Sequence, residues 1–485
     1  MTRAKRAALA VLAVLALAWP AGAVAAPHAA GVLVVSPQGP YTTIQSAVDA
    51  AQTGDRIEVR PGVYREELLV RKTVTLEGSA GAVIDGGEQN TVVTLEAPDI
   101  VFRGFEVRGS GVEPDRDHSG IIAAAPRIVV ENNVLHDVLF GIFISKAEGS
   151  VVRGNTVGSK DEYDVARKGD GLRLWYSPNV LVENNTVKNA RDVVVWYSSG
   201  VTMRDNNVTD GRYGVHLMYC DRVLIERNHM LNNSVGIYTM YSTGTVIHDN
   251  LIRGQRGPSG YALGFKDADN VDARNNALID NRVGIYLDNT PFSPQSFSRF
   301  VENVIAFNDV GVIVQPAVHG NVFEKNVFWE NSEQVSVQGG GVLAHNTWQG
   351  NYWSDYAGFD ANGDGVGDVP YQSQRFFENL ADREPRLRVL LYSPAVQAIE
   401  FAASAFPVVR PQPKLTDAAP AMDLPPLPAL LDTAPPSPWP MRLAAIGLLA
   451  LGLGVGWLAT RPGGLTTKKR ILWTRTQQRA RSKSA

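Results

Sequence analysis

The chain reads as an all-β protein, a right-handed parallel β-helix, and three observations predict it. Glycines open short strands of alternating apolar residues at Gly120, Gly141, Gly171, Gly214, Gly236, Gly260, Gly284 and Gly311. Asparagines follow roughly one turn later, at Asn133, Asn155, Asn185, Asn206, Asn228, Asn250, Asn276, Asn303 and Asn326. The phrase recurs every ~22 residues, too short for a βαβ unit and right for one coil of a solenoid. A solenoid grows along one axis, so the 485 residues ask for one long domain with accessories, not several globular ones.

In chain order, residues 1–25 read as a secretory signal peptide: Arg3, Lys5 and Arg6, an apolar run from Ala7 to Trp19, then Ala23-Val-Ala25 before the cut. The solenoid spans 32–350. Near its start Thr42 or Thr43 can cap a short helix whose Ile44, Ala47, Val48 and Ala51 share one apolar face. That helix is expected to cover the first coil, because an uncovered end strand invites aggregation. Strands are expected at Arg56 to Arg60, Glu67 to Val70, Val74 to Glu77 and Val92 to Leu95, with Pro61-Gly62 and Gly86-Gly87 as turns.

Residues 351–406 form a C-terminal cap with an acidic loop, and 407–440 a Pro-rich, extended linker. Residues 441–460 are apolar apart from Arg442 and long enough to cross a bilayer; an amphipathic helix lying on the membrane is the rival reading. The tail 461–485 is basic (Arg461, Lys468, Lys469, Arg470, Arg475, Arg479, Arg481, Lys483), which keeps it cytoplasmic and leaves the β-helix on the other side of the membrane. A net charge of −3 and a body without basic blocks exclude nucleic acid as a partner. The single cysteine, Cys220, excludes an internal disulfide.

Strand alternation sorts the side chains. One and three residues after the glycine they point inward: Ile142 and Ile144, Leu172 and Leu174, Val215 and Leu217, Ile237 and Thr239, Ile285 and Leu287, Val312 and Val314. Met203 and Met230 belong with this core, while His229 faces out near a turn. The asparagines sit at turns, where stacked amides bond coil to coil and tolerate a left-handed backbone, and Tyr176, Tyr197, Tyr219 and Tyr241 form an aromatic ladder.

Two and four residues after the glycine the side chains point outward: Arg173 and Trp175, Val194 and Trp196, His216 and Met218, Tyr238 and Met240, with Asp192 in one glycine slot. Cys220 joins this face if its strand runs that far. Solvent-facing positions ordinarily carry polar residues, so this stripe asks for a reason. His216, Met218, Cys220 and Met240 are soft or borderline ligands, a set that selects Cu(I) over calcium, magnesium or manganese. Stacking brings Met218 and Met240 to ~4.8 Å, within reach of one ion. The same stripe, with Arg173, Trp175, Trp196 and Tyr238, fits a docking patch for a protein partner, and the two roles are compatible.

A second constellation, Asp360-Ala-Asn362-Gly-Asp364-Gly365-Val-Gly-Asp368, alternates oxygen ligands as a calcium loop begins. Tyr371 stands where an EF-hand has its bidentate glutamate, so a calcium-stapled turn or a metal-free Asx turn remains, structural in either case. The runs Asp115-Arg-Asp-His118 and Lys160-Asp-Glu-Tyr-Asp164 are candidate cleft loops of a carbohydrate-active enzyme, a lyase or epimerase. No outward pair of acids on adjacent coils beside an arginine is expected, which leaves that as the second reading.

Four phrases, His216-Leu-Met-Tyr219, Gly236-Ile-Tyr-Thr-Met-Tyr241, Gly350-Asn-Tyr-Trp-Ser-Asp355 with the acidic loop after it, and Leu391-Tyr-Ser-Pro-Ala-Val396, together resemble the NosD family, periplasmic accessory proteins for maturation of nitrous oxide reductase. The resemblance runs from about Gln38 to Arg410. It implies a non-enzymatic role in assembling the copper–sulfur cluster of nitrous oxide reductase, beside an ABC transporter of ATPase NosF and membrane subunit NosY and the copper chaperone NosL. It names no ligands, so the copper set above stands on the residues alone. The chain after Arg410 departs from the family pattern and reads as a tether to the inner membrane.

Overall fold

The computed structural model describes residues 30–391, 393–405, 412–425, 427 and 447–448. The chain divides into two units, Met1–Leu431 and Asp432–Ala485, and the first holds the solenoid. The predicted signal peptide and basic tail lie outside the described residues, as does the predicted membrane span but for two helical positions, Gly447 and Leu448. Among the described residues no helix is long and apolar enough to cross a membrane.

Each coil contributes one strand to each of three parallel sheets. Sheet I has 14 strands, from Val32–Val35 to Thr347–Gln349; sheet II has 12, from Leu68–Val70 to Glu333–Val337; sheet III has 13, from Gly62–Arg65 to Tyr352–Trp353. At about 4.8 Å per coil this makes a rod of roughly 60 Å. The inward aliphatics named above are all buried in one continuous core, with Met203 and Met230 among them.

The N-terminal end closes as the sequence predicts. Helix α1, Ile44–Ala50, is capped by Thr43, whose hydroxyl accepts from the Ser46 amide at 3.2 Å. The Glu66 carboxylate accepts from the Ile44 and Gln45 amides at 2.8 and 2.9 Å. Gln45 then completes the exposed edge of sheet II: its side chain accepts from Leu69 N at 2.9 Å and donates to Leu69 O at 3.1 Å. An edge that would otherwise pair with another chain is covered by one amide.

The asparagines bind coil to coil between sheets I and III. Each Oδ1 accepts both the main-chain N–H and the Nδ2–H of the asparagine one coil earlier: Asn206 donates to Asn228 at 3.0 and 2.9 Å, and Asn228 to Asn250 at 2.9 and 3.0 Å. The left-handed residue is not the ladder asparagine but its predecessor, as at Asn132, Asn184, Asp205, Arg227 and Asp249 (φ 55°, 55°, 55°, 50° and 57°). That turn aims the asparagine inward, where its amide is buried.

At the C-terminal end α2 (Phe376–Arg383), a 3-10 turn (Pro385–Leu390) and α3 (Pro394–Ala405) form the predicted cap. The linker reading is corrected for residues 412–425, which are a strap packed on the cap. Thr416–Asp417 pairs antiparallel with Tyr371–Gln372. Asp417 ends the ladder: its carboxylate accepts from Asn351 N and Nδ2 at 3.0 and 2.9 Å, Gly350 N at 3.1 Å and Trp353 Nε1 at 3.2 Å. A carboxylate suits this place because the last asparagine offers donors and nothing follows to be donated to. Lys414 is fully buried and lies 2.8 Å from Glu333, 2.9 Å from Asp382 and 3.7 Å from Glu378. Proline content marked the segment as unable to form regular ladders, but two paired residues and one buried ammonium dock it.

Candidate functional site

Sheet II carries the outward stripe in the expected register. Trp175, Trp196, Met218, Met240 and Lys266 stand side by side on successive coils, and beside them run Arg173, Val194, His216, Tyr238 and Gly264. His216 Nε2 reaches diagonally to Met240 Sδ at 3.4 Å. The imidazole is walled by aromatic rings: Tyr213 stacks on it at 4.9 Å, Trp196 meets it edge-on at 5.6 Å, and Tyr238 lies 6.2 Å away. Gly264 makes room for Tyr238, since a Cβ there would stand 2.3 Å from the Tyr238 ring.

Burial holds the His216 imidazole well below its ordinary range, at about 4, so it is neutral at neutral pH. Its buried Nδ1 has no hydrogen-bond partner. With the proton on Nδ1, Nε2 presents its lone pair toward the thioether. Met218 and Met240 are both half-buried. One imidazole and two half-buried thioethers share this face, a donor set suited to a soft cation.

Cys220 is corrected. Tyr219, at φ 55°, turns the chain and resets the alternation, so Cys220 points into the core with no exposed surface. It occupies the slot of a hydroxyl ladder: its N–H donates to Ser242 Oγ at 3.0 Å and its thiol to Val195 O at 3.1 Å. Burial pushes the thiol up to about 11, far from a ligating thiolate.

Arg173 is anchored, not free. Its guanidinium donates to Asp117 Oδ1 at 2.8 Å and lies over Phe143 at 4.8 Å and Trp175 at 5.5 Å. Beside it lies a constellation that the sequence reading excluded. Asp170 and Asp192 are buried on neighbouring coils with arginines between and beside them: Arg191 pairs with Asp170 at 2.8 Å, and Arg212 grips Asp192 through Nε at 2.9 Å and through Nη2. The chain ends on the stripe, with Arg212 over Tyr213 at 4.9 Å. Asp170 precedes its strand and Asp192 opens the next, so the two are not in register, and the irregular pairing of Asp192–Trp196 with Tyr213–Met218 sets Arg212 against Asp192. Both carboxylates are engaged by guanidinium groups, and burial holds the Asp170 carboxyl above the usual carboxylate range.

The acidic loop lies at the cap, apart from the stripe. Asp360 accepts from the amides of Gly363, Asp364 and Gly365 at 2.7, 3.3 and 2.8 Å; Asp364 accepts from Val366 N at 2.9 Å, Asp368 from Ala361 N at 2.7 Å, and Asn362 from Asp364 N at 2.9 Å. These are Asx turns. The loop grips the strap, with Gly367 N donating to Pro420 O at 2.9 Å and Met422 N to Gly365 O at 3.0 Å. Among the described residues no three or more His, Cys, Asp or Glu converge where an ion could be held. With Asp360, Asp364 and Asp368 already held by loop amides, the melting temperature is expected to agree within about 1 °C between calcium and chelator, since only a ligand that binds the folded state raises it. A rise of several degrees in calcium would decide for the calcium-stapled turn over the metal-free one.

The family described as "Periplasmic copper-binding protein (NosD)" matches residues 157–358, a span that contains the whole stripe from Arg173 to Met240. The probable ABC transporter binding protein NosD of Pseudomonas aeruginosa is 26% identical over 402 residues, covering 76% of this chain and 89% of that protein. Its namesake in Stutzerimonas stutzeri is 25% identical over 405 residues, covering 76% of this chain and 87% of that one. Among solved structures, the A-module of a mannuronan C-5 epimerase of Azotobacter vinelandii aligns with a TM-score of 0.52 at 17% identity, over 65% of this chain and 95% of the module. That is a likeness of fold.

Proposed function

We propose that this NosD-like chain is a non-enzymatic periplasmic scaffold that holds Cu(I) transiently for the copper–sulfur cluster of nitrous oxide reductase. Its partners in this reading are an ABC transporter, through membrane subunit NosY and ATPase NosF, and the copper chaperone NosL, with the reductase as recipient. The name of the relatives supports the transporter, and the family description supports copper and the periplasm. A membrane tether through 441–460 belongs to the same proposal.

One observation carries it: His216 Nε2 and Met240 Sδ face each other at 3.4 Å on the outward side of sheet II, with Met218 in register beside Met240. Cu(I) is the cargo, and His216, Met218 and Met240 would hold it. Trp196, Tyr213 and Tyr238 wall the His216 imidazole. Arg173 and Trp175, at the N-terminal end of the stripe, offer a partner a cationic and aromatic edge.

Titration of the full-length protein with Cu(I) against a chromophoric chelator tests this. Met218→Leu with Met240→Leu keeps the apolar volume and is expected to weaken Cu(I) binding by more than about tenfold, over ~1.4 kcal/mol, and to impair maturation of the reductase. Unchanged binding in the double variant would remove the stripe as the site. The pH profile gives a second readout. Because the His216 proton leaves at about 4, affinity is expected to stay level down to about pH 5 and to fall below it. A fall centred near the ordinary imidazole value would mean that His216 is not the binding histidine.

A further inference from the structure

Four successive coils place a tyrosine in the left-handed region, Tyr176, Tyr197, Tyr219 and Tyr241, with φ of 49°, 52°, 55° and 50°. In the coils before and after, the same slot holds Lys146, Asp267 and Asn289. Asp and Asn accept this conformation readily, whereas a bulky side chain costs on the order of 1–3 kcal/mol there. The four strained coils are those whose outward strands carry Trp175, Trp196, Met218 and Met240. Ring stacking offsets the strain, but does not explain why tyrosine coincides with the Trp and Met row and with nothing else.

The rings form an unbroken path. His216 meets Trp196 at 5.6 Å, Trp196 meets Trp175 at 5.7 Å, and Trp175 meets Tyr176 and Tyr197 at 5.5 and 5.3 Å. Tyr176, Tyr197, Tyr219 and Tyr241 then stack at 4.8, 5.0 and 5.1 Å. Indole and phenol give up one electron more easily than a thioether does. Trp196 Nε1 is buried without a hydrogen-bond partner, so an oxidised Trp196 has nowhere to release its proton and passes the deficit on. The ladder phenols are the natural end of the path: Tyr176 is 49% exposed, Tyr219 45% and Tyr241 38%, so water takes their protons.

We infer that the tyrosine ladder is a sacrificial electron source that protects Met218 and Met240 from oxidation. With hydroxyl radical as the oxidant, two phenols each give one electron and one proton to one radical apiece, and the two radicals leave as two waters. The two tyrosyl radicals join through a new carbon–carbon bond between ring positions ortho to the hydroxyls. The alternative fate, transfer of an oxygen atom to sulfur, would turn a soft ligand into a polar sulfoxide. The proposed Cu(I) cargo supplies the reason for oxidants to arise at the stripe; the electron path itself needs no metal.

The test is therefore run without copper. Full-length protein is illuminated with ruthenium tris-bipyridine and persulfate, a one-electron oxidant, and oxidised residues are mapped by peptide mass spectrometry. Ring oxidation and cross-links are expected to concentrate in Tyr176, Tyr197, Tyr219 and Tyr241, with Met218 and Met240 spared. The variant Tyr176→Phe, Tyr197→Phe, Tyr219→Phe, Tyr241→Phe keeps the stacked rings and lacks the phenols, and its Met218 and Met240 sulfoxide is expected to rise several-fold. Equal sulfoxide yields in the two proteins, or wild-type tyrosine oxidation spread evenly over other exposed tyrosines, would overturn the inference. Wild-type mapping decides alone if the variant fails to fold. Loss of Cu(I) binding in the titration above would leave this result standing, and the reverse holds too.

Discussion

Replacing Lys414 by methionine is expected to release the C-terminal strap and to cost about 3–5 kcal/mol, the range for removing one partner from a buried ion cluster. The lysine ammonium is wholly enclosed and also donates to Val335 O at 3.1 Å, so methionine fills its volume but none of its charge or hydrogen bonds. Glu333 and Asp382 then face Arg388 alone, at 3.0 and 3.6 Å, and Glu378 faces Arg375 at 3.3 Å. Burial already pushes Glu378 up to about 7 and Glu333 above the ordinary carboxylate range, even with the lysine present. Acids whose folded pKa is raised bind protons more tightly folded than unfolded, so their contribution is present at low pH and is lost as pH rises. Without Lys414 the rise is steeper. The loss in urea unfolding is therefore expected to be larger at about pH 8 than at about pH 5.5, with faster proteolysis between residues 405 and 425. Equal losses at the two pH values would mean that the lysine acts by packing alone.

That strap marks where the sequence stops being informative. Coil period, inward aliphatics and the outward row from Trp175 to Met240 were legible because strand side chains alternate with a fixed period of two. The helix over the first coil was legible because Thr43 and the apolar face of Ile44, Ala47 and Val48 are local signals. Cys220 was misplaced because alternation ends at a left-handed residue, and a tyrosine at 219 gives no local warning that it adopts one. The left-handed residue of each coil was assigned one position late for a related reason: the ladder asparagine is conspicuous and its predecessor is variable. The pairs of Lys414 with Glu333 and of Asp192 with Arg212 were illegible for different causes. The first joins residues 81 apart with no repeat to guide the eye, and the second sits across a register shift. Of the candidate copper set, His216, Met218 and Met240 are brought together, and the fourth member is withdrawn by a single backbone angle.

The ladder itself should be the most sensitive element inside the rod. Asn228 Oδ1 accepts from Asn206 N and Nδ2 at 3.0 and 2.9 Å, and its Nδ2 donates to Met203 O, Glu226 O and Asn250 Oδ1 at 3.0, 2.9 and 3.0 Å. Asn228→Ala strands both Asn206 donors and the Met203 carbonyl away from water, at ~1–3 kcal/mol for each buried unsatisfied group, so roughly 3–9 kcal/mol in all. Asn228→Asp should be milder on one side only, because a carboxylate can still accept from Asn206, as Asp417 does from Asn351, but cannot donate onward. Coils touch only their neighbours, so the damage is local and the rod should come apart at that joint, turning one cooperative transition into two. Trp175 and Trp196 lie on the N-terminal side of the break and Trp348 and Trp353 on the other, and amide exchange or tryptophan fluorescence can follow the halves separately. One coincident transition with an unshifted midpoint would mean that the sheet hydrogen bonds alone hold neighbouring coils, and that the amides which fill every turn of the ladder are replaceable by a methyl group and water.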